Sequence, residues 1–339
     1  MKAFIAAIMA LISVFGSLLG GGELKAEFDR KGTIEGFAKT AQVQKELVDF
    51  NVDADGDFTV LQFSDTHFRS MANFSDLFLL NKMKEQVKKE NPDLVVVTGD
   101  MINDGNSGMF NKAYVLRTVA EMFEEENQYW AYVPGNNDGL NYGSSEDVTA
   151  YLLQYEHCLV YDERDISGGA QYSVDIYNEA VLTHSLVFLD TMDYDNEDDY
   201  YKYGYVHEDQ VQWCKEEIAS KKRENPNVKV SVFMHENTPA FQKAAKNGSA
   251  YKSMYPTISK MMDNMDIPKN QPLDDVFDNS GCVGLVSIGH IHPAAAQCSF
   301  YNNTYYSIAP QTTLASVKIT IHTAENSIKD MYDFEALYL

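Results

Sequence analysis

The first half of the sequence repeats one order of elements three times. An apolar run of strand length begins each repeat, and these runs are FTVLQF (58–63), DLVVV (93–97) and YWAYV (129–133). A polar loop and a helix-like stretch follow each run, and the helix-like stretches lie near Asp76–Lys89, near Asn111–Glu126 and after Ser145. Strands that alternate with helices are typical of βαβ units, so we predict an α/β fold with a largely parallel inner sheet.

The rest of the chain adds elements of the same kinds. Further strands are predicted at QYSVDIY (171–177), AVLTHSLVFLD (180–190), VKVSVFM (228–234) and CVGLVSI (282–288), and helices near Glu208–Lys222 and Met254–Met265. Before the first repeat, LVDFNV (47–52) and FTVLQF flank DADGD (53–57), which predicts a β-hairpin. We predict one α/β domain of mixed sheets over residues 45–339, preceded by an N-terminal extension over residues 27–44.

The N-terminal residues have the composition of a targeting segment. Lys2 is followed by an unbroken apolar stretch from Ala3 to Phe15 and then by small residues. This order resembles a secretory signal peptide, and we predict that residues 1–26 form one, with cleavage between residues 20 and 26. The alternative is an uncleaved anchor, although an apolar stretch that ends at Leu19 is at the short limit for crossing a bilayer. The predicted location is secreted or lumenal, with membrane tethering as the alternative.

The net charge restricts the possible partners of the protein, and the cysteines restrict its possible disulfides. The formal net charge is −23, and so acidic a surface repels phosphate backbones and anionic lipid. Neither nucleic acid nor, after signal cleavage, a membrane is a predicted partner. A polyanionic substrate would also be repelled unless cations at a site reversed the local field. The four cysteines have no CxxC spacing and fit either two disulfides or buried thiols, and they are Cys158, Cys214, Cys282 and Cys298.

Polar side chains that can bind metals follow five of the predicted strands. They are Asp65 and His67 in FSDTHF, Asp100 in TGDMIND, Asn136, Asn137 and Asp138 in PGNNDG, His235 in FMHEN, and His290 and His292 in IGHIHP. Ligands of open α/β sheets bind at the carboxyl ends of strands, so we expect these side chains to converge. One such residue alone is more often a helix cap or a hydrogen-bonded surface group, but five motifs in series are poorly explained that way.

The types of donor indicate the kind of ion. Carboxylates, imidazoles and an amide oxygen together suit borderline divalent metals such as Zn, Mn or Fe. The motifs have no cysteine close to them, which argues against a thiolate-rich structural zinc site. The sequence therefore predicts a divalent metal site at the strand ends.

The order of the motifs resembles the calcineurin-like metallophosphoesterases. Asp-x-His, Gly-Asp, Gly-Asn-x-Asp, His and Gly-His-x-His follow one another as in that family, over about residues 55–310. The stretches VFLDTMDYD and YGYVHEDQVQWCKEEI, together with the Asp-x-His start, are most similar to its purple-acid-phosphatase-like branch. The resemblance implies a four-layer α-β-β-α sandwich with two mixed β-sheets, and hydrolysis of small phosphomonoesters or phosphodiesters.

The resemblance also implies a binuclear centre with seven ligands. One metal would be bound by Asp65, His67 and His292, and the other by Asn136, His235 and His290, with Asp100 bridging the two. Two metals roughly 3.5–4 Å apart lower the pKa of a bridging water and clamp phosphate oxygens during in-line displacement. The implied cofactors are two divalent ions (Zn, Mn or Fe), and the implied nucleophile is the bridging water.

Asn137 departs from the family pattern. The family has a histidine there, which protonates the leaving alkoxide or stabilises charge on the phosphate, whereas a neutral amide does not ionise usefully near pH 7. Asn137 is an engineered substitution, a natural variation that leaves weakened or restricted catalysis, or the mark of a pseudophosphatase that binds metals without turnover. We favour weakened catalysis because all seven ligands are present. Asn137 and Asp138 are the candidate catalytic residues, with Asp138 orienting the amide or acting through water.

Two histidines and one acidic tract are weaker candidates. His184 and His157 are alternative acids, although a core or surface histidine explains each more simply. The tract from Asp190 to Tyr205 is acidic and rich in tyrosine, which is typical of a solvated loop. As a functional element it would wall the substrate pocket, since tyrosines stack on apolar or aromatic leaving groups.

Overall fold

The computed structural model describes residues 48–52, 56–71, 73–103, 109–139, 145–161, 165–192, 194–195, 202–252, 254–255 and 267–339. The predicted signal peptide, the N-terminal extension and the domain start at residue 45 lie outside these ranges. So do most of the predicted helix at Met254–Met265 and the middle of the Asp190–Tyr205 tract.

Strands and helices alternate over the region of the three sequence repeats. The strands of the described part are β1 (Phe50–Val52), β2 (Asp57–Phe63), β3 (Leu94–Thr98), β4 (Trp130–Val133), β5 (Gln171–Asn178), β6 (Val181–Leu189), β7 (Tyr194–Asp195), β8 (Lys202–Tyr203), β9 (Lys229–Met234), β10 (Ser249–Ala250), β11 (Val283–Ile288), β12 (Gln297–Tyr301), β13 (Thr304–Ile308), β14 (Ala315–His322) and β15 (Tyr332–Tyr338). The helices are α1 (Phe74–Glu90), α2 (Met109–Glu125), α3 (Ser145–Leu152), α4 (Glu208–Glu224), α5 (Pro239–Asn247), α6 (Gln271–Ser280) and α7 (Ile328–Met331), and a 3₁₀ turn (Ile267–Asn270) precedes α6.

The strands form two mixed sheets. The larger has the order β1-β5-β6-β9-β11-β13-β12-β10, and the smaller has the order β15-β14-β2-β3-β4. Parallel pairs join β6, β9, β11 and β13 in the larger sheet, and β2, β3 and β4 in the smaller sheet, where β4 lies at the edge. Antiparallel pairs adjoin β6, β13 and β2, and β7 pairs with β8 alone. The predicted α/β fold with two mixed sheets is confirmed.

Two apolar clusters hold four layers together. Along β9, Val230 and Val232 pack in one cluster with buried residues of α4, α5 and α6. Phe233 belongs to the second cluster, which lies between the sheets and also takes in Met83 of α1 and Phe123 of α2. Successive strand residues face opposite sides of a sheet, so each sheet packs on helices with one face and on the other sheet with its second face. This is the α-β-β-α sandwich.

The predicted hairpin between the first two strands is wrong. β1 pairs in parallel with β5 in the larger sheet, where Phe50 lies opposite Ile176. β2 lies between β14 and β3 in the smaller sheet. The DADGD stretch therefore joins two sheets, because alternation of apolar residues sets which face of a strand is buried but does not select its partner.

Helices α5 and α6 were not predicted, although each carries a local signal. Pro239 begins α5 after the N-cap Thr238, and Pro272 lies at the start of α6. Proline is favoured in the first turn because its missing N–H would have no helical partner there. Gly281 ends α6 in the left-handed conformation, with φ of 67°.

The sequence left the state of the four cysteines open. All four cysteines are buried free thiols, so this structure has the thiol form and not the two disulfides. Within the described ranges, none of the helices has both the length and the apolar character needed to cross a membrane.

Candidate metal centre

The carboxyl ends of five strands meet at one edge of the sandwich. Backbone hydrogen bonds join the loops after β2 and β3, since the N–H of Asp65 donates to Gly99 O and that of His67 to Asp100 O, both at 3.0 Å. The loop after β11 reaches the same place, where His292 Nε2 is 2.9 Å from Asp65 Oδ1 and 3.0 Å from His67 Nε2. The predicted convergence of strand ends is present in the fold.

The converging side chains form two groups of potential metal donors that share one residue. Within each group the ligand atoms lie within 4.8 Å of one another, and the groups are Asp65, His67, Asp100 and His292, and Asp100, His235 and His290. Asn136 lies beside the second group, with its Oδ1 3.1 Å from His235 Nε2. The division of residues corresponds to the one that the family resemblance implies, although the role of each residue as a ligand stays a prediction.

Unfavourable backbone geometry is concentrated at these residues. Five of the seven candidate ligands have positive φ without being glycine, namely Asp65 (53°), His67 (46°), Asp100 (49°), His290 (65°) and His292 (47°). Such conformations cost roughly 1–3 kcal/mol each and persist where the surrounding structure enforces them, most often at functional sites. This strain indicates that the loops are shaped for the site and not for stability.

Hydrogen bonds orient several donors toward the shared centre. The Nδ1 of His235 donates to Thr98 O at 2.7 Å, which directs its Nε2 to the cluster. Asp65 accepts from Ser64 Oγ and from the backbone N–H of His290 at its Oδ2, which leaves Oδ1 facing His292. Outer partners of this kind fix the orientation of metal ligands in proteins.

The electrostatics of the buried cluster favour a bound cation. Burial would lower the pKa of His235, but the carboxylates of Asp100 and Asp65 outweigh it and raise this pKa to about 10. Burial likewise opposes ionisation of Asp100, yet His235 and His67 hold the pKa of Asp100 well below its usual range. The pKa of His290 falls to about 3, chiefly through burial, which keeps its imidazole neutral as metal binding requires. The donor set therefore fits a divalent ion.

Asn137 contacts the shared carboxylate and lies at the surface of the cluster. Its backbone N–H donates to Asp100 Oδ1 at 2.8 Å, and its side-chain amide donates to Asp100 Oδ2 at 2.5 Å. The structure thus places Asn137 on the bridging candidate, a contact that the sequence did not reveal.

Asp138 points away from the cluster. Its Oδ1 accepts from the N–H of Ile102, and its Oδ2 accepts from Tyr132 Oη and the N–H of Gly135. Burial and the nearby Asp100 raise the pKa of Asp138 to about 6. These contacts anchor the loop that carries Asn136, and a catalytic role for Asp138 stays a prediction.

The two alternative histidines lie beside the first residues of β9 and β4. His184 is fully buried, pairs with the first residue of β9 and is 2.8 Å from Ser231 Oγ, and burial lowers its pKa to about 3. His157 lies beside the first residue of β4, and its Nδ1 is 2.8 Å from Glu124 Oε2. Because the cluster follows the last residues of these strands, neither histidine reaches it.

Two glycines allow the loops to approach one another. A β-carbon on Gly135 would collide with the backbone nitrogen and the carboxylate of Asp100, and one on Gly289 would collide with the side chains of Ser64 and Asp65. The Gly-Asn and Gly-His motifs therefore need their glycines because no space is left for a β-carbon.

An open cleft of about 540 Å³ adjoins the cluster. It is lined by Thr66, His67, Arg69, Ser75, Asp76, Leu79, Asn103, Asn137, His292, Gln311 and Thr313. The sequence reasoning missed Arg69, Asn103, Gln311 and Thr313, because only the fold brings them to the same cleft. A larger cleft of about 1020 Å³ lies between α4 and α6, and the residues lining it include no member of the cluster.

Comparison with known proteins shows the family of the chain. Residues 58–294 match the model of the calcineurin-like phosphoesterases, a span that contains all seven candidate ligands. The chain belongs to this family. Membership accounts for the order of the motifs along the chain.

Two relatives show how far the similarity extends. A protein of Arabidopsis thaliana described as a probable inactive purple acid phosphatase 28 is 27% identical over 193 residues, which cover 48% of each protein. The chain thus spans about half the length of this curated relative. The crystal structure of a dimetal phosphatase from Danio rerio is 13% identical, with a TM-score of 0.54 over 83% of this chain and 98% of that chain. The second match supports the fold alone.

Proposed function

We propose that the protein is a metal-dependent phosphoesterase that hydrolyses small phosphomonoesters or phosphodiesters at a binuclear centre. The observation that carries the proposal is that Asp100 belongs to both groups of donors, where a bridging ligand must lie. The cleft beside His67 and His292 would admit the substrate. When bound, two divalent ions would supply an activated water and a clamp for phosphate oxygens.

The residues of this chain would hold and orient that centre. Asp65, His67 and His292 would bind one ion, and Asn136, His235 and His290 the other. Thr98 O fixes the ring of His235, and Asn137 fixes the carboxylate of Asp100. The ions would also turn the local field positive in a protein with a net charge of −23, so that an anionic ester could approach.

The test measures metal content and turnover on the same preparations. The protein is stripped of metal, reloaded with Zn, Mn or Fe, and assayed for bound metal and for hydrolysis of 4-nitrophenyl phosphate and bis(4-nitrophenyl) phosphate. Two metals per chain with turnover of either ester is expected, and Asp100→Asn should lose both. Asp330→Asn, at an exposed residue of α7, is the matched control and should change neither. Turnover that survives complete removal of metal would contradict the proposal.

A second candidate function is a metal-binding pseudophosphatase or binding protein without turnover. Two observations favour it, namely that Asn137 cannot supply a proton and that the Arabidopsis relative is described as probably inactive. The same assay separates the two functions. Full metal occupancy with no hydrolysis of the activated aryl esters would establish the second function and exclude the first.

We also propose that the protein is secreted or lumenal and that residues 1–26 direct it there. The support is the order of Lys2, an apolar stretch and small residues. Expression in a secreting host should yield a mature chain that begins between residues 21 and 27. Recovery of intact Met1 in the membrane fraction would favour the tethered alternative.

A further inference from the structure

We propose that Arg69 forms a subsite, next to the metal centre, for a second anionic group of the substrate, so that the preferred esters carry a carboxylate or phosphate on their leaving group. The inference rests on the proposed function and adds a substrate class to it.

The first support is the position of Arg69 in the cleft. Its side chain is exposed and lines the same cavity as His67, His292 and Asn137. Arg69 lies in the segment between His67 and α1, and the cavity continues to Ser75 and Leu79 on that helix. Its volume of about 540 Å³ falls within the usual range for small-molecule sites. The cleft therefore has room for a leaving group beside the cluster.

The second support is the fixed backbone under the arginine. The N–H groups of Arg69, Ser70 and Met71 all donate to Asp76 Oδ2, at 2.9, 3.0 and 3.2 Å. On the other side, the N–H of Phe68 donates to Met101 O at 2.9 Å. A guanidinium carried by a backbone held on both sides loses less freedom when it binds a ligand.

The third support is the charge of the cleft. Of the described residues that line it, Arg69 is the one with a permanent positive charge, and the other new members, Asn103, Gln311 and Thr313, are neutral and polar. The carboxylate of Asp76 also lies there, and its Oδ2 accepts from three backbone N–H groups. A guanidinium binds carboxylate or phosphate through two parallel hydrogen bonds. In a protein with a net charge of −23, the positive charge of Arg69 favours binding of an anionic group at this position in the cleft.

The experiment uses probes that cannot be hydrolysed, so it does not depend on turnover. Alkylphosphonates that end in a carboxylate, with one to three methylene groups, are compared by calorimetry on metal-loaded protein with alkylphosphonates of equal length that end in a methyl group. The wild type is expected to bind at least one carboxylated probe roughly tenfold more tightly than the matching probe without a carboxylate. Arg69→Gln should abolish this preference, and Arg69→Lys should retain part of it because the charge remains.

Arg117→Gln is the matched control, because Arg117 lies on α2 and pairs with Glu121 outside the cleft. It should keep the preference, and all variants should keep the metal content and unfolding midpoint of the wild type. No preference in the wild type would overturn the subsite. An equal loss of affinity for both probes in Arg69→Gln would also overturn it, because Arg69 would then bind the phosphoryl group itself. Absence of bound metal in the wild type would instead refute the proposed function, and metal analysis detects that separately.

Discussion

A single neighbour holds both oxygens of the Asp100 carboxylate. Asn137 donates its backbone N–H to Oδ1 and its side-chain amide to Oδ2. His235 Nε2 is 3.5 Å from Oδ1, and His67 Nε2 is 3.7 Å from Oδ2, so each oxygen also faces one of the two donor groups. An ionised carboxylate has about four lone-pair sites. Each oxygen can therefore accept from Asn137 and still face one donor group, so in the proposed function Asn137 would position Asp100 as the bridging ligand.

Removing the side chain of Asn137 should weaken metal binding. Asn137→Ala keeps the backbone hydrogen bond to Asp100 but loses the amide, and loss of such an outer contact typically costs about 10–100-fold in metal affinity. Competition with a chromophoric chelator measures the change. Asn227→Ala, at an exposed residue outside the cleft, is the control and should bind metal like the wild type. Unchanged affinity in Asn137→Ala would show that the backbone contact alone positions Asp100.

Replacing Asn137 by the histidine of the family should favour substrates with poor leaving groups. General acid catalysis contributes about 10²–10⁴-fold, but only where the leaving group needs a proton. An alkoxide needs one, whereas a nitrophenolate is stable near neutral pH, so Asn137→His should raise alkyl-ester turnover selectively. Because the amide contact to Asp100 is lost, a weaker metal affinity is also expected in this variant.

The comparison must therefore be made at saturating metal, with kcat measured on an alkyl and an aryl phosphate. Equal gains on both esters would mean that the histidine stabilises charge on the phosphate. No gain on either ester would contradict the view that the missing acid limits the reaction.

At the scale of strands, one buried glutamine links the two sheets below the metal centre. Gln62 of β2 donates to Thr98 Oγ1 of β3 at 2.9 Å, and its Oε1 accepts from Ser287 Oγ of β11 at 2.7 Å. All three side chains are fully buried. The loops that carry Asp65, Asp100 and His290 follow these three strands. The hydrogen bonds of Gln62 therefore fix the relative position of loops from both sheets.

Breaking this link should destabilise the protein. Gln62→Leu keeps a similar volume but leaves Ser287 Oγ without its acceptor, and a buried polar group that loses its partner costs about 1–3 kcal/mol. Urea unfolding should show that loss in the free energy of unfolding. Gln212→Leu, on the exposed face of α4, should stay within about 0.5 kcal/mol of the wild type. Equal stability of the two variants would mean that the sheets are held by apolar packing alone.

The strands were predictable from sequence because their signal is local. FTVLQF, DLVVV and VKVSVFM became β2, β3 and β9 almost to the residue, since short apolar runs bounded by polar loops define buried parallel strands. The partner of β1 was not predictable, because pairing with β5 joins residues far apart in sequence. The division of the candidate ligands into two groups also depends on contacts between residues far apart in sequence. It therefore followed from the family resemblance and not from the spacing of the residues. Arg69 and Gln311 were missed, because only the fold brings them to one cleft.

At the scale of the whole molecule, the candidate metal centre places buried negative charge inside a protein that is already acidic. Asp65 and Asp100 are 0% and 1% exposed, inside a chain with a net charge of −23. Buried carboxylates are costly unless they are paired or bind metal. Without metal, a proton on His235 supplies part of the positive charge, as its raised pKa shows. Divalent ions would supply more, and the field of the whole chain attracts them.

Removal of metal should therefore lower the stability of the whole domain. An ion that binds only the folded state stabilises it by about 2.7 kcal/mol when its concentration is a hundred times the Kd. For a domain of this size that corresponds to roughly 4 °C in the unfolding midpoint. Calorimetry of the protein with Zn or Mn, and again after dialysis against a chelator, measures the difference. Asp100→Asn should unfold at the same temperature in both conditions, because it lacks the ligand common to the two groups, whereas Asp330→Asn should keep the full shift. A shift that persists in Asp100→Asn would place the stabilising ion elsewhere in the molecule.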